Sequence, residues 1–218
     1  MSKVDAWRVQ SAEGPAVRLS IRCLLAVLLL VATRPPALAQ CDAFKRVFVT
    51  STTYDGNPGG LAGADAICAA RAAAAGLSGT YKAWLSSSTT SAASRLTHAT
   101  VPYKRTDGVT IANNWTDLTD GAIAEPITHD EFGHEISSYG VVWTGTASDG
   151  SSLGGGFGSN DFCSDWTGPA RAIVGLTSPD FSGPWDAWTW FCFASCEPPG
   201  NPFFRDCVNG SWLYCFQQ

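Results

Sequence analysis

The chain has 218 residues with fourteen Lys and Arg against nineteen Asp and Glu. Removing residues 1–39 takes five basic and two acidic residues, leaving nine against seventeen and a net charge of −8. A surface of that sign excludes nucleic acid and anionic membranes as natural partners.

The first 39 residues read as a cleaved export signal. Lys3, Arg8, Arg18 and Arg22 precede the ten-residue apolar run Cys23–Ala32, then come Pro35, Pro36 and the triplet Ala37–Leu38–Ala39. Ten helical residues reach about 15 Å, half a hydrocarbon core, so the run does not span a membrane. Residues 40–218 then form one domain in an oxidising compartment, secreted or held at the cell surface. That domain carries seven of the eight cysteines, and the odd one is assigned to Cys41 at the new N-terminus, free, lipidated or intermolecular.

In chain order, Arg46–Thr50 is β-branched and aromatic and ends at turn residues 55–60. Leu61, Ala64, Cys68, Arg71 and Ala72 recur at helical spacing, with Gly76 as the stop. Tyr81–Ser86 reads as a strand and Ser91–Leu96 as a short serine-capped helix. Val101–Arg105 and Val109–Ala112 flank Thr106–Asp107–Gly108, a hairpin signal. No period is sustained over 113–138. Val141–Thr144, Arg171–Gly175, Trp188–Cys192 and Trp212–Phe216 read as further strands. The result is an α+β domain with long loops, which in compact domains commonly carry function.

The blocks Lys45–Ser51, Gly59–Asp65 with Cys68, Lys82–Ser86, Val142–Thr146, Cys163–Thr167 and Leu213–Phe216 occur in an order that resembles a bacterial extracellular domain family of unknown function. That family has a C-type-lectin-like, endostatin-related fold. The resemblance implies small antiparallel sheets where both chain ends meet, one main helix, one short helix and long stapled loops. It implies the pairs Cys68–Cys215 and Cys163–Cys207, leaving Cys192–Cys196 as a third; the Pro-rich stretch 194–205 stands as an insertion.

Asp149, Asn160, Asp161 and Asp165, in and after a glycine-rich stretch, are the candidate calcium ligands, since calcium gathers six to eight oxygens. The competing reading makes them turn-formers. Trp84, Trp143, Trp166 and Trp212 are assigned to the core. Trp185, Trp188 and Asp186, beside Gly183–Pro184, are the candidate ligand-binding residues, with Trp185 as a stacking platform. His129 and His134 with nearby carboxylates are the only metal-hydrolase candidates, at a spacing that does not favour one helical face. Asn114–Trp115–Thr116 and Asn209–Gly210–Ser211 fit the glycosylation sequon. The expected function is a non-catalytic module that recognises an extracellular protein or glycan through residues 113–186. The alternatives are a metal-assisted extracellular hydrolase and a structural envelope protein.

Overall fold

A computed structural model describes residues 44–136, 140–153, 161–177, 188–189 and 204–218. The export signal, Cys41, Asn160, Trp185, Asp186 and the pair Cys192–Cys196 lie outside the described residues.

Among the described residues, eight strands form one sheet. They are β1 (Lys45–Val49), β2 (Tyr81–Ala83), β3 (Tyr103–Arg105), β4 (Thr110–Ala112), β5 (Val141–Trp143), β6 (Arg171–Leu176), β7 (Phe204–Asp206) and β8 (Trp212–Gln217). The order is β4-β3-β1-β8-β5-β6-β7, with β2 also paired to β8. Central β8 runs antiparallel to β1, Phe48 opposite Cys215, and antiparallel to β2, Ala83 opposite Cys215. The sheet is nevertheless mixed, which corrects the expectation of small antiparallel sheets. β1 lies parallel to β3 and β5 parallel to β8. Parallel neighbours need a long crossover, and between β1 and β3 that crossover contains the main helix α1 (Gly60–Ala74).

The period-two alternation of the central strands feeds two cores. Phe48, Leu213 and Cys215 join Ala64, Cys68 and Ala72 of α1 on one face. Val47, Val49, Tyr214 and Phe216 join Trp84, Tyr103 and Ile111 on the other. Buried on both sides, these strands read as near-continuous apolar runs. The buried stripe of α1 is Ala64, Cys68 and Ala72, small residues that let the helix lie close to the sheet. Its end is a left-handed glycine, Gly76 at φ 68°, where the Leu77 amide donates back to the Ala72 carbonyl. A disulfide joins Cys68 to Cys215 and so ties α1 to β8. Among the described residues no helix is long and apolar enough to cross a membrane.

Two four-residue helices follow. In α2 (Ala92–Arg95) the Ser91 hydroxyl accepts from the Ser94 amide. In α3 (Trp115–Leu118) the Asn114 side chain accepts from the Asp117 amide. The second was not foreseen, because one turn is too short to show a period. The β3–β4 hairpin turns through Gly108 at φ 93°.

Residues Cys163–Trp166 coil into a left-handed helical turn, with φ of 50°, 54°, 56° and 66°. L-residues disfavour this hand by about 1–2 kcal/mol each, so the turn needs external clamps. The Cys163–Cys207 disulfide is one. The Trp166 indole N–H, donating to the Ser86 carbonyl at 2.7 Å, is a second. Asp165 supplies a third: its carboxylate accepts from the Ser88 amide at 2.7 Å and the Ser88 hydroxyl at 2.9 Å. Gly56 lies against the bridge, where an added Cβ would sit 2.1 Å from Cys163 Sγ and 2.6 Å from Cys207 Cβ. Gly56→Ala is therefore expected to destabilise the domain by about 1–3 kcal/mol through overpacking. Urea unfolding checks this, and an unchanged midpoint would show that the bridge does not press on residue 56.

Trp188 and Thr189 form a turn rather than the start of a strand. The turn is plugged into the core: the Trp84 indole N–H donates to Thr189 Oγ1 at 2.7 Å, and Thr189 Oγ1 donates to the Thr146 carbonyl at 2.9 Å. Gly175 makes room for it, since a Cβ there would lie 2.1 Å from the Trp188 carbonyl oxygen.

Candidate functional site

The tryptophans divide by environment. Trp84, Trp143 and Trp166 are buried, and Trp212 is half-buried against the second core. Trp188, nominated as a ligand contact, is only 5 % exposed, with its ring centroid 5.0 Å from Trp84 and 6.1 Å from Tyr214. It belongs to the core, because Gly175 and the Thr189 hydrogen bonds draw its turn inward.

The acids nominated for calcium are each engaged locally. Asp149 accepts from the Ser151 amide at 2.8 Å in an exposed turn. Asp161 is 7 % exposed and accepts from Arg171 Nε at 2.7 Å, while that guanidinium lies 4.0 Å over the Phe204 ring. Asp165 is held by Ser88. Among the described residues no three His, Cys, Asp or Glu side chains gather to hold a metal ion.

The two histidines of the 129–135 loop serve different aspartates. His129 Nε2 lies 3.4 Å from Asp107 Oδ2, and His134 Nδ1 lies 3.5 Å from Asp130 Oδ2 with its side chain 78 % exposed. Thr128 Oγ1 sits 3.0 Å from His129 Nδ1 and accepts from Arg105 Nη1 at 3.2 Å. The hydrogen bond from Arg105 holds the Asp107 carboxyl below the usual carboxylate range, aided by the Val109 amide and the nearby charges. A lowered carboxyl contributes stability above its unfolded pKa and loses it as pH falls through the folded value. Asp107→Asn is thus expected to lack this contribution at neutral pH and to show a shallower acid limb below about pH 4. Chemical unfolding across that range checks it; parallel limbs would contradict the assignment.

A groove of about 370 Å³ opens between the 98–100 segment and α3, lined by His98, Ala99, Thr100, Asn114, Trp115 and Thr116. It shares Asn114 and Thr116 with an adjoining hollow of about 280 Å³ that adds Asn113, Asp117 and Asp120. The Trp115 amide donates to the Ala99 carbonyl at 2.8 Å, which joins the two walls. The exposed His98 ring stacks on half-buried Trp115, with centroids 4.0 Å apart and planes 11° from parallel. Trp115 in turn lies 5.8 Å from buried Trp84, so the stack is footed in the core. His98 Nε2 donates to the Ala93 carbonyl at 2.8 Å, since a carbonyl only accepts.

The polar edge is equally constrained. Asn114 Oδ1 is used by the Asp117 amide, which leaves its NH₂ as donor. Asp117 Oδ2 takes both the amide and side-chain NH₂ of Asn113, at 2.6 and 2.9 Å. Sequence reasoning missed this groove, since residues 113–120 fall in the stretch that sustains no period. The usable signal was Asn114 before Trp115–Thr116–Asp117, an Asx cap that starts a helical turn.

No curated protein matches the chain. A family model described as Collagenase NC10 and Endostatin matches residues 46–185.

Proposed function

Because the chain belongs to the Collagenase NC10 and Endostatin family, we propose that it is a non-catalytic extracellular recognition domain that holds a protein or carbohydrate ligand on its loop face. The reading assigns the contact to the groove between His98 and Asp120. The observation that carries it is the aromatic stack: a core indole supports a half-buried one, which supports an exposed imidazole, at the rim of a hollow edged by amide, hydroxyl and carboxylate groups. Small-ligand sites combine this kind of apolar floor with a few placed polar groups.

Rigidity supports the same reading. Among the described residues one disulfide ties α1 to β8 and another ties the turn at 163–166 to the chain after β7, and preorganised surfaces lose little entropy on binding. The net charge, −5 for the whole chain and −8 for residues 40–218, favours neutral or cationic partners. The test is binding of the protein to arrays of extracellular-matrix proteins and glycans, read with and without EDTA. Retained binding in EDTA is expected, because the groove holds its ligand without calcium. An array with no bound ligand of either class would remove the proposal.

A further inference from the structure

Building on that recognition reading, we propose that the His98–Trp115 groove is a subsite for an uncharged saccharide, whose C–H face lies on the imidazole–indole stack and whose hydroxyls meet the polar rim. A hydroxyl both donates and accepts, and the rim offers both partners. The carboxylates of Asp117 and Asp120 accept; the Asn114 NH₂ and the hydroxyls of Thr100 and Thr116 donate.

Charge selects among sugars. The residues lining the two hollows include two aspartates and no Lys or Arg. A uronate or a sulfated sugar would bring an anion beside those carboxylates without a cation to receive it, so the groove suits neutral sugars. Shape sets the length: the two hollows adjoin and share Asn114 and Thr116 as lining, so each can take one of two neighbouring units of a chain. The volume of the first, about 370 Å³, lies within the range of small-ligand sites, about 300–1,000 Å³.

The floor is fixed before the ligand arrives. His98 is pinned to Ala93, and Trp115 is pinned through its amide to Ala99 and through its ring to Trp84.

The experiment titrates the full chain with neutral hexasaccharides (cello-, chito- and manno-oligosaccharide) and with an oligogalacturonate. Tryptophan fluorescence and saturation-transfer NMR report binding. At least one neutral sugar is expected to bind, and more tightly than the acidic one. His98→Ala is expected to weaken that binding about tenfold, the scale of one aromatic contact. His98→Phe keeps the ring face and stays within about threefold of the parent. Both variants change an exposed side chain, and their melting curves verify the fold. Absence of binding by every neutral sugar overturns the inference, as does tighter binding of the acidic one or an unchanged titration in His98→Ala. Where a matrix protein binds and no neutral sugar does, this inference falls and the recognition reading stands. Where neither binds, both fall.

Discussion

Removing the bridge between α1 and β8, as Cys68→Ala with Cys215→Ala, is expected to lower the thermal midpoint by roughly 10–20 °C. The bond closes a loop with a sequence separation of 147 residues. In the chain-entropy account a cross-link of that span restricts the unfolded chain by about 5 kcal/mol. For a domain of this size each kcal/mol is worth roughly 2–4 °C. The native state loses contacts as well, since both sulfurs lie in the fully buried cluster with Phe48, Ala64 and Leu213. The Cys163–Cys207 bond spans 44 residues, about 4 kcal/mol on the same argument. Differential scanning calorimetry of the double-alanine protein decides the matter. A midpoint within about 2 °C of the parent would mean that α1 is held to the sheet by packing alone.

The second large effect centres on Glu131, whose side chain is fully buried. Its carboxylate accepts from the Ser51 amide at 2.9 Å, the Ser51 hydroxyl at 2.7 Å and Arg71 Nε at 2.6 Å. It thereby joins the 129–135 loop to α1 and to the chain leaving β1. Glu131→Ala strands a partly buried guanidinium and a partly buried amide, and the expected loss is about 3 kcal/mol. Glu131→Gln keeps a carbonyl acceptor for Ser51 and should fall between parent and alanine variant. Urea unfolding with a constant slope would report both values. An alanine variant within about 0.5 kcal/mol of the parent would show that water replaces the carboxylate.

Features encoded within a few residues could be read directly. The small-residue stripe Ala64, Cys68, Ala72 with Gly76 marks α1, and Thr106–Asp107–Gly108 marks the β3–β4 turn. The strand runs at 47–49, 172–176 and 212–216 are apolar because helices and loops cover both faces of the sheet. The family relation came from the order of blocks along the chain, not from composition. Pairing direction was hidden, because Val142 opposite Trp212 depends on a crossover rather than on either strand. The left-handed turn at 163–166 was hidden too. Its backbone is disfavoured locally and is held by Ser86, Ser88 and Cys207, all distant in sequence.

The groove shows the same division. Its two walls, 98–100 and 113–120, are ordinary polar segments until the Trp115 amide reaches the Ala99 carbonyl. Trp188 misled in the opposite sense. It reads as a strand residue and a candidate ligand contact, yet Gly175 allows its turn to enter the core.

The antiparallel pairing of β1 with β8 brings Lys45 beside the far end of the chain, where its ammonium donates to the Gln218 carbonyl at 2.8 Å. A force applied across these two points would open the ladder one rung at a time, the weakest loading geometry for a sheet. Unravelling would halt at the covalent link between Cys68 and Cys215. Only the chain before the first and after the second could be drawn out, on the order of 90 Å when fully extended. The domain would then behave under tension as a short tether that yields early and stops abruptly at that link.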